Sequence, residues 1–222
     1  MKYVIEVSNL SKSFYFPKKV DVLKDVSLSI EKGKSAAIMG ASGEGKTTLL
    51  HLIGSLEKPD CGKVLIKGKE VTTKNCASIR NSLIGFIFQT SNLLEDLTAL
   101  ENVILPSMIA RKNDKLQLKN AYELLDMVGL SNRKHFYAKQ LSGGEKQRVA
   151  IARAYINNPE IILADEPSGN LDHENATAIH EMLIRSCKDF NKTLILVTHN
   201  QELASYCDRQ YLLKNKQLII AN

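Results

Sequence analysis

The sequence predicts an α/β domain with a parallel core sheet, and three observations carry that prediction. Short apolar strands alternate with amphipathic helical stretches, the order a parallel sheet with crossover helices requires. One strand runs straight into a glycine-rich loop and then a helix. A helical block at about residues 90–158 reads as a subdomain inserted within a single domain of residues 1–222.

The elements follow in order. Strands are expected at residues 3–10, 22–30, 35–39 and 63–67. Val26-Ser27-Leu28-Ser29-Ile30 alternates with period two, as a strand with one buried face does. The short apolar strand at 35–39 feeds the glycine loop, and Leu49, Leu50, Ile53 and Leu56 then share one helical face. A strand at 84–88 ends at Gln89. Helical character runs from Thr98 to about Val128, where Ala121, Leu124, Leu125 and Val128 keep the spacing and Gly129 supplies a stop. Ser142 is expected to cap a helix reaching about Ile156, closed by Asn158-Pro159. Ile161-Ile162-Leu163-Ala164 is a buried strand, Ala176, Ile179 and Leu183 mark a helix, and 193–197 is a further buried strand. About two strands follow His199, with no regulatory extension expected.

Composition excludes several classes. With 44% hydrophobic residues the chain can bury a core. Cys61, Cys76, Cys187 and Cys207 show neither a C-x-x-C pair nor metal spacing, so reduced thiols of a cytosolic protein are expected. Glu6 interrupts the N-terminal apolar residues, which argues against a signal peptide. No run approaches the roughly 18 apolar residues of a spanning helix. The net charge of +6 arises from 30 basic and 24 acidic residues spread thinly along the chain. That pattern reads as a solvated surface, and no nucleic-acid partner is expected.

Gly40-Ala41-Ser42-Gly43-Glu44-Gly45-Lys46-Thr47 matches G-x-x-x-x-G-K-[ST] without a gap. Its glycines let successive N–H groups point at phosphates, and the following helix adds its positive end. Lys46 would reach the β- and γ-phosphates, the Thr47 hydroxyl would ligate Mg²⁺, and Thr48 follows in the same helical turn. Asp165 and Glu166 are delivered by an apolar strand to the sheet edge where α/β ligands bind. Asp165 would hold Mg²⁺ through water, and Glu166 would polarise the attacking water as general base. Leu141-Ser142-Gly143-Gly144-Glu145 is a second capped helix end suited to anions. A second such end is redundant in one domain unless it serves another copy's nucleotide.

On these strings the chain resembles the ATP-binding subunits of ABC transporters, over nearly its full length. The resemblance implies a P-loop NTPase fold with an N-terminal antiparallel β subdomain and an inserted α-helical subdomain, and ATP and Mg²⁺ as the molecules bound. It implies that Gln89 senses Mg²⁺ and the membrane partner, that His199 bonds the γ-phosphate, and that Gly169-Asn170-Leu171-Asp172 crosses a dimer interface. Catalysis then falls to Glu166, His199 and Gln89, and the metal to Thr47, Gln89 and Asp165. Nucleotide contacts fall to residues 40–48 and to Ser142, Gly143, Gly144 and Glu145. An aromatic ring near the N-terminus would stack on adenine, either Phe14 or the adjacent Tyr15.

The implied partners are a second copy in the ATP state and integral-membrane permease subunits docking near Gln89 and residues 90–96. Within the family the likeness is to lipoprotein-releasing systems, through the strings Thr48-Leu49-Leu50-His51-Leu52-Ile53-Gly54 and Thr98-Ala99-Leu100-Glu101-Asn102-Val103 and residues 164–172. The permease would handle the lipoprotein cargo, at the cytoplasmic face of a bacterial inner membrane. Macrolide-exporter-type and cell-division-type subunits, and a non-transport metal-cluster assembly ATPase, are the alternatives. Three residues depart from the family pattern: Glu44 in the loop, Ser168 where threonine is frequent, and Asn200 where aspartate is frequent.

Overall fold

A computed structural model describes residues 2–15, 17–112, 114–169 and 171–221; Asn170 of the expected dimer-interface loop lies outside them. In chain order its first elements are β1 (Tyr3–Tyr15), β2 (Lys19–Glu31), β3 (Ser35–Met39), α1 (Lys46–Ile53), β4 (Cys61–Ile66) and β5 (Lys69–Glu70). Next come α2 (Cys76–Leu83), β6 (Ile84–Ile87), α3 (Ala99–Ile109), α4 (Asp114–Met127) and α5 (Gly143–Tyr155). The chain continues through β7 (Ile161–Asp165), α6 (His173–Asp189), β8 (Thr193–Val197), α7 (Gln201–Ser205), β9 (Arg209–Lys214) and β10 (Gln217–Ile220). Contacts divide it into two units, one of residues up to Arg80 with residues from Asn191 onward, the other of Asn81–Phe190.

The first unit carries an antiparallel sheet in the order β2-β1-β4-β5. In β2 the alternation is realised as expected, with Val26, Leu28 and Ile30 buried between more exposed serines. Both long strands exceed their expected spans because their outer halves are polar. Ser13 pairs with Asp21 and Tyr15 with Lys19, so the backbone ladder continues where no apolar pattern announces it. In the same unit β3 lies parallel to both β8 and β9, and β10 closes antiparallel on β9. α1 buries Leu49, Leu50, Leu52 and Ile53. Leu56 does not share that face: the helix stops at Gly54, and Leu56 is 45% exposed.

In the second unit β6 and β7 pair in parallel, with Gly85 opposite Ile162. Every residue of β7 is buried, the signature of a strand covered on both faces. The expected helical stretch from Thr98 to Val128 is two helices. Thr98 opens α3 with a full capping box to Glu101. α3 ends at Ile109, and Arg111 then turns left-handed at φ 52°. α4 resumes the apolar period, burying Ala121 and Leu125, and Gly129 follows at φ 71°. The expected cap at Ser142 is present, and α5 runs to Tyr155.

Among the described residues, no helix is long and apolar enough to cross a membrane. No disulfide joins the four cysteines; Cys187 and Cys207 are buried, and Cys61 is exposed.

Candidate functional site

In the first unit β3 delivers the chain into the glycine loop. Gly40, Gly43 and Gly45 all take positive φ, at 156°, 83° and 97°. Gly45 is the residue that caps α1, and a Cβ there would sit 2.6 Å from Val22 Cγ1. Only glycine meets both demands, the left-handed turn and the close neighbour. The loop then leads into a helix whose first turn holds no acidic side chain. Lys46 is buried, and its ammonium donates to the Gly40 and Ala41 carbonyls at 2.9 Å each. The charge is thereby folded back over the loop. Thr47 is exposed at the helix start, and Thr48 and Glu44 are half-buried. A Cβ built at Gly43 meets no atom within 4 Å. A loop left open at Gly43, a positive helix end and a buried lysine together fit a polyphosphate.

The expected aromatic residues and the expected histidine also lie in this unit. Phe14 stands near the end of β1, 41% exposed, and Tyr15 beside it is 74% exposed. His199 is exposed directly after β8 and Thr198. Asn200 caps α7, accepting from the Leu203 N–H at 3.0 Å. That cap needs only a side-chain acceptor, which asparagine supplies as aspartate would.

In the second unit Asp165 is the buried last residue of β7. Glu166 follows in a half-exposed position with φ at 42°, a conformation costly for a side chain without local over-determination. The surrounding turn supplies that constraint. The Gly169 N–H donates to the Glu166 carbonyl at 3.0 Å, and the Ser168 hydroxyl shares a hydrogen bond with buried His180 at 2.5 Å. The serine therefore retains the one group that position uses. Gln89 is exposed just beyond β6, packed so closely on Gly169 that a Cβ there would lie 3.0 Å from Gln89 Nε2.

The helix end at Ser142 is built as a reciprocal cap. The Ser142 hydroxyl accepts from the Glu145 N–H at 3.3 Å, and Glu145 Oε2 accepts from the Ser142 N–H at 2.8 Å. The Ser142 backbone bond comes first in holding the Glu145 carboxyl below its usual range; burial opposes it, and the Ser142 hydroxyl and Arg133 add to it. Gly144 is buried, and a Cβ there would meet Asn175 Oδ1 at 2.8 Å. Asn175 is itself tied to Asp172, the cap of α6. An open groove of about 190 Å³ adjoins this end, lined among others by Gln89, Thr90, Ser91, Lys146, Gln147 and Leu171.

Sequence reasoning passed over the residues that hold the segment after Gln89. Arg153 donates to the Asn92 and Ser91 carbonyls at 2.7 and 2.6 Å. Asn102, wholly buried, accepts from the Leu94 N–H and donates to the Leu94 carbonyl. Gln147 donates to the Phe88 carbonyl at 3.0 Å. The signal was available: Asn102 and Gln147 are polar residues at buried-face spacing, beside Val103 and Ile151.

Among the described residues no group of three or more His, Cys, Asp or Glu is arranged to hold a metal. Mg²⁺ does not require one, since it keeps several waters and takes substrate phosphates with one or two protein oxygens. The Thr47 hydroxyl of the first unit and the Asp165 carboxylate of the second are each oxygen donors of the kind such an ion takes.

Comparison with known proteins agrees with these features. The ABC transporter family model matches residues 23–169. The chain is 50% identical to the lipoprotein-releasing system ATP-binding protein LolD of Protochlamydia amoebophila, over 96% of this chain and 94% of that one. It is 45% identical to the protein of the same name from Cytophaga hutchinsonii, over 99% and 100%. A dimeric ATP-binding cassette in a post-hydrolysis state, bound to ADP and Pi, matches with a TM-score of 0.88 and 37% identity, over 98% of this chain and 97% of that chain. A dimeric bacterial ABC transporter cassette matches with a TM-score of 0.89 and 38% identity, over the same shares. With well over half of its length, residues 23–169, inside the family model and relatives this similar over nearly whole chains, the protein belongs to the ABC transporter family, as an ATP-hydrolysing cassette subunit.

Proposed function

We propose that this chain is the ATPase of a lipoprotein-releasing ABC transporter, working as a pair of copies on the cytoplasmic face of a bacterial inner membrane. The observation that carries this reading is the likeness, over essentially the whole chain, to lipoprotein-releasing system ATP-binding proteins. The capped helix end at Ser142 supports the paired arrangement. It is a second anion-suited helix end in a chain that already has a phosphate loop, and the related cassettes are dimers.

In this reading the loop N–H groups of residues 40–47, with Lys46 and Thr48, hold the triphosphate. Ser142, Gly143, Gly144 and Glu145 of one copy complete the site of the other. Thr47, Asp165 and Gln89 hold Mg²⁺, which supplies neutralising charge at the phosphates when bound. Glu166 takes the proton of the attacking water, and His199 donates to the terminal phosphate. Phe14 stacks on the base. The groove beside Gln89 and Lys146 receives a cytoplasmic element of the permease, which alone handles the lipoprotein.

The test pairs chemistry with company. Glu166→Gln should retain ATP binding, lose hydrolysis by at least about a hundredfold, and accumulate as a dimer with ATP. Parent-like turnover in that variant would remove Glu166 as the base. Extraction of the parent in mild detergent should retain an integral-membrane permease with a large periplasmic domain. Recovery with a soluble scaffold instead would favour an assembly ATPase.

A further inference from the structure

The ring at Phe14 does not stand alone. Two residues earlier on β1, Lys12 is 8% exposed, although lysine is rarely buried without partners. Its ammonium donates to Glu57 Oε1 and to the Lys58 carbonyl at 2.8 Å each, and Asp60 Oδ1 lies at 3.6 Å. The same ammonium sits 5.0 Å from the centroid of the Phe14 ring. The segment that clamps it is fixed in turn to β1. Asp60 Oδ2 accepts from the Ser13 N–H at 2.7 Å, and the Asp60 N–H donates to the Ser11 carbonyl at 3.0 Å. Hydrogen bonding from Lys12 comes first in holding the Glu57 carboxyl below its usual range, with the Lys58 N–H adding to it and burial opposing it.

We propose that Lys12 is a positioning residue for the base of the nucleotide: its clamped ammonium holds one face of Phe14, leaving the other for adenine. The inference rests on Phe14 being the stacking ring. A phenyl group on an exposed strand end rotates freely, and ordering it costs binding energy. A cation fixed against one face removes that freedom through the ring quadrupole. It also draws π density from the ring, which favours stacking against an electron-rich purine on the opposite face. A general structural role for Lys12 would affect every ligand of the phosphate loop alike. A role through the ring affects only ligands that carry a base.

The experiment compares ATP with inorganic tripolyphosphate, measured by calorimetry on the full chain in the presence of EDTA. Phe14→Ala should weaken ATP about tenfold and leave tripolyphosphate unchanged. Lys12→Met should weaken ATP about two- to fivefold with tripolyphosphate unchanged, and should add nothing further in the Phe14→Ala background. Lys12→Arg, whose guanidinium can bond the same oxygens and stack on the ring, should restore ATP affinity. Equal weakening of both ligands by Lys12→Met, or no weakening of either, overturns the inference. If Phe14→Ala leaves the ratio of the two affinities unchanged, the base-stacking reading itself fails, a distinct result. Should Lys12→Met fail to fold, Lys12→Gln carries the same comparison.

Discussion

Gly85→Ala tests whether the two functional ends of the second unit are held by one backbone contact. Gly85 lies in the middle of β6, and a Cβ there would fall 2.3 Å from the Ala154 carbonyl oxygen of α5. Ordinary non-bonded contacts need roughly 3.5 Å, so the helix must retreat by about 1 Å or the strand must bend. Neither atom belongs to a flexible side chain that can swing aside. Overpacking of this kind costs typically 1–3 kcal/mol, and a backbone partner places the cost near the upper end, about 3 kcal/mol. For a chain of this length that is a fall in Tm of about 6–12 °C. α5 carries Ser142 at its start, and β6 leads to Gln89. The Gln147 bond to the Phe88 carbonyl, 3.0 Å long, ties the two elements again. Hydrolysis should therefore fall more than the loss of folded protein accounts for. The assay is thermal unfolding by circular dichroism beside ATP turnover at a temperature where both proteins are folded. A Tm within about 1 °C of the parent would show that the close approach is not a constraint, and the reasoning would be wrong.

Ser142→Ala removes one half of a reciprocal cap and should lower stability by about 1 kcal/mol, or about 2–4 °C in Tm; an unchanged Tm would contradict the cap. Glu145 is held below its ordinary value of 4.5, so its contribution is present above that pH and is lost as pH falls through its lowered folded value. The Tm difference between parent and Glu145→Gln should accordingly be constant near neutrality and shrink in acid below pH 4.5; a difference growing in acid would reverse the sign argued here. Arg153→Met frees two carbonyls at residues 91 and 92 and should cost about 2 kcal/mol. Amide exchange across residues 90–96 should speed up selectively, and uniform exchange along the chain would deny Arg153 a local role.

The glycine loop, the carboxylates at the end of β7 and the cap at Ser142 are readable because each is a local chemical demand. Positive φ, a sheet-edge carboxylate and a side-chain acceptor before a helix leave residue types at fixed spacing. The outer half of β1 is not legible because Ser13 and Tyr15 pair with β2, and Ser11 with Cys61 of β4, through their backbones, and backbone pairing leaves no apolar alternation. Leu56 keeps the period of α1 yet lies off its face, because periodicity does not see where a helix stops. The break between α3 and α4 was hidden for the same reason: each helix keeps its own apolar face, and the period runs on across the gap.

The sequence by itself therefore determined the fold class, the strand–loop–helix order and the identities of the chemical groups, since local backbone preference and hydrophobic period are written residue by residue. Tertiary structure alone decided which distant groups support them. Arg153 under the carbonyls after Gln89, His180 beneath Ser168, and Lys12 between Glu57 and the Phe14 ring are contacts between segments 12 to 62 residues apart, if the ring itself is set aside. No local preference encodes such pairs. A buried charge or hydroxyl must find a partner once water is excluded, and only the packed chain brings that partner within reach.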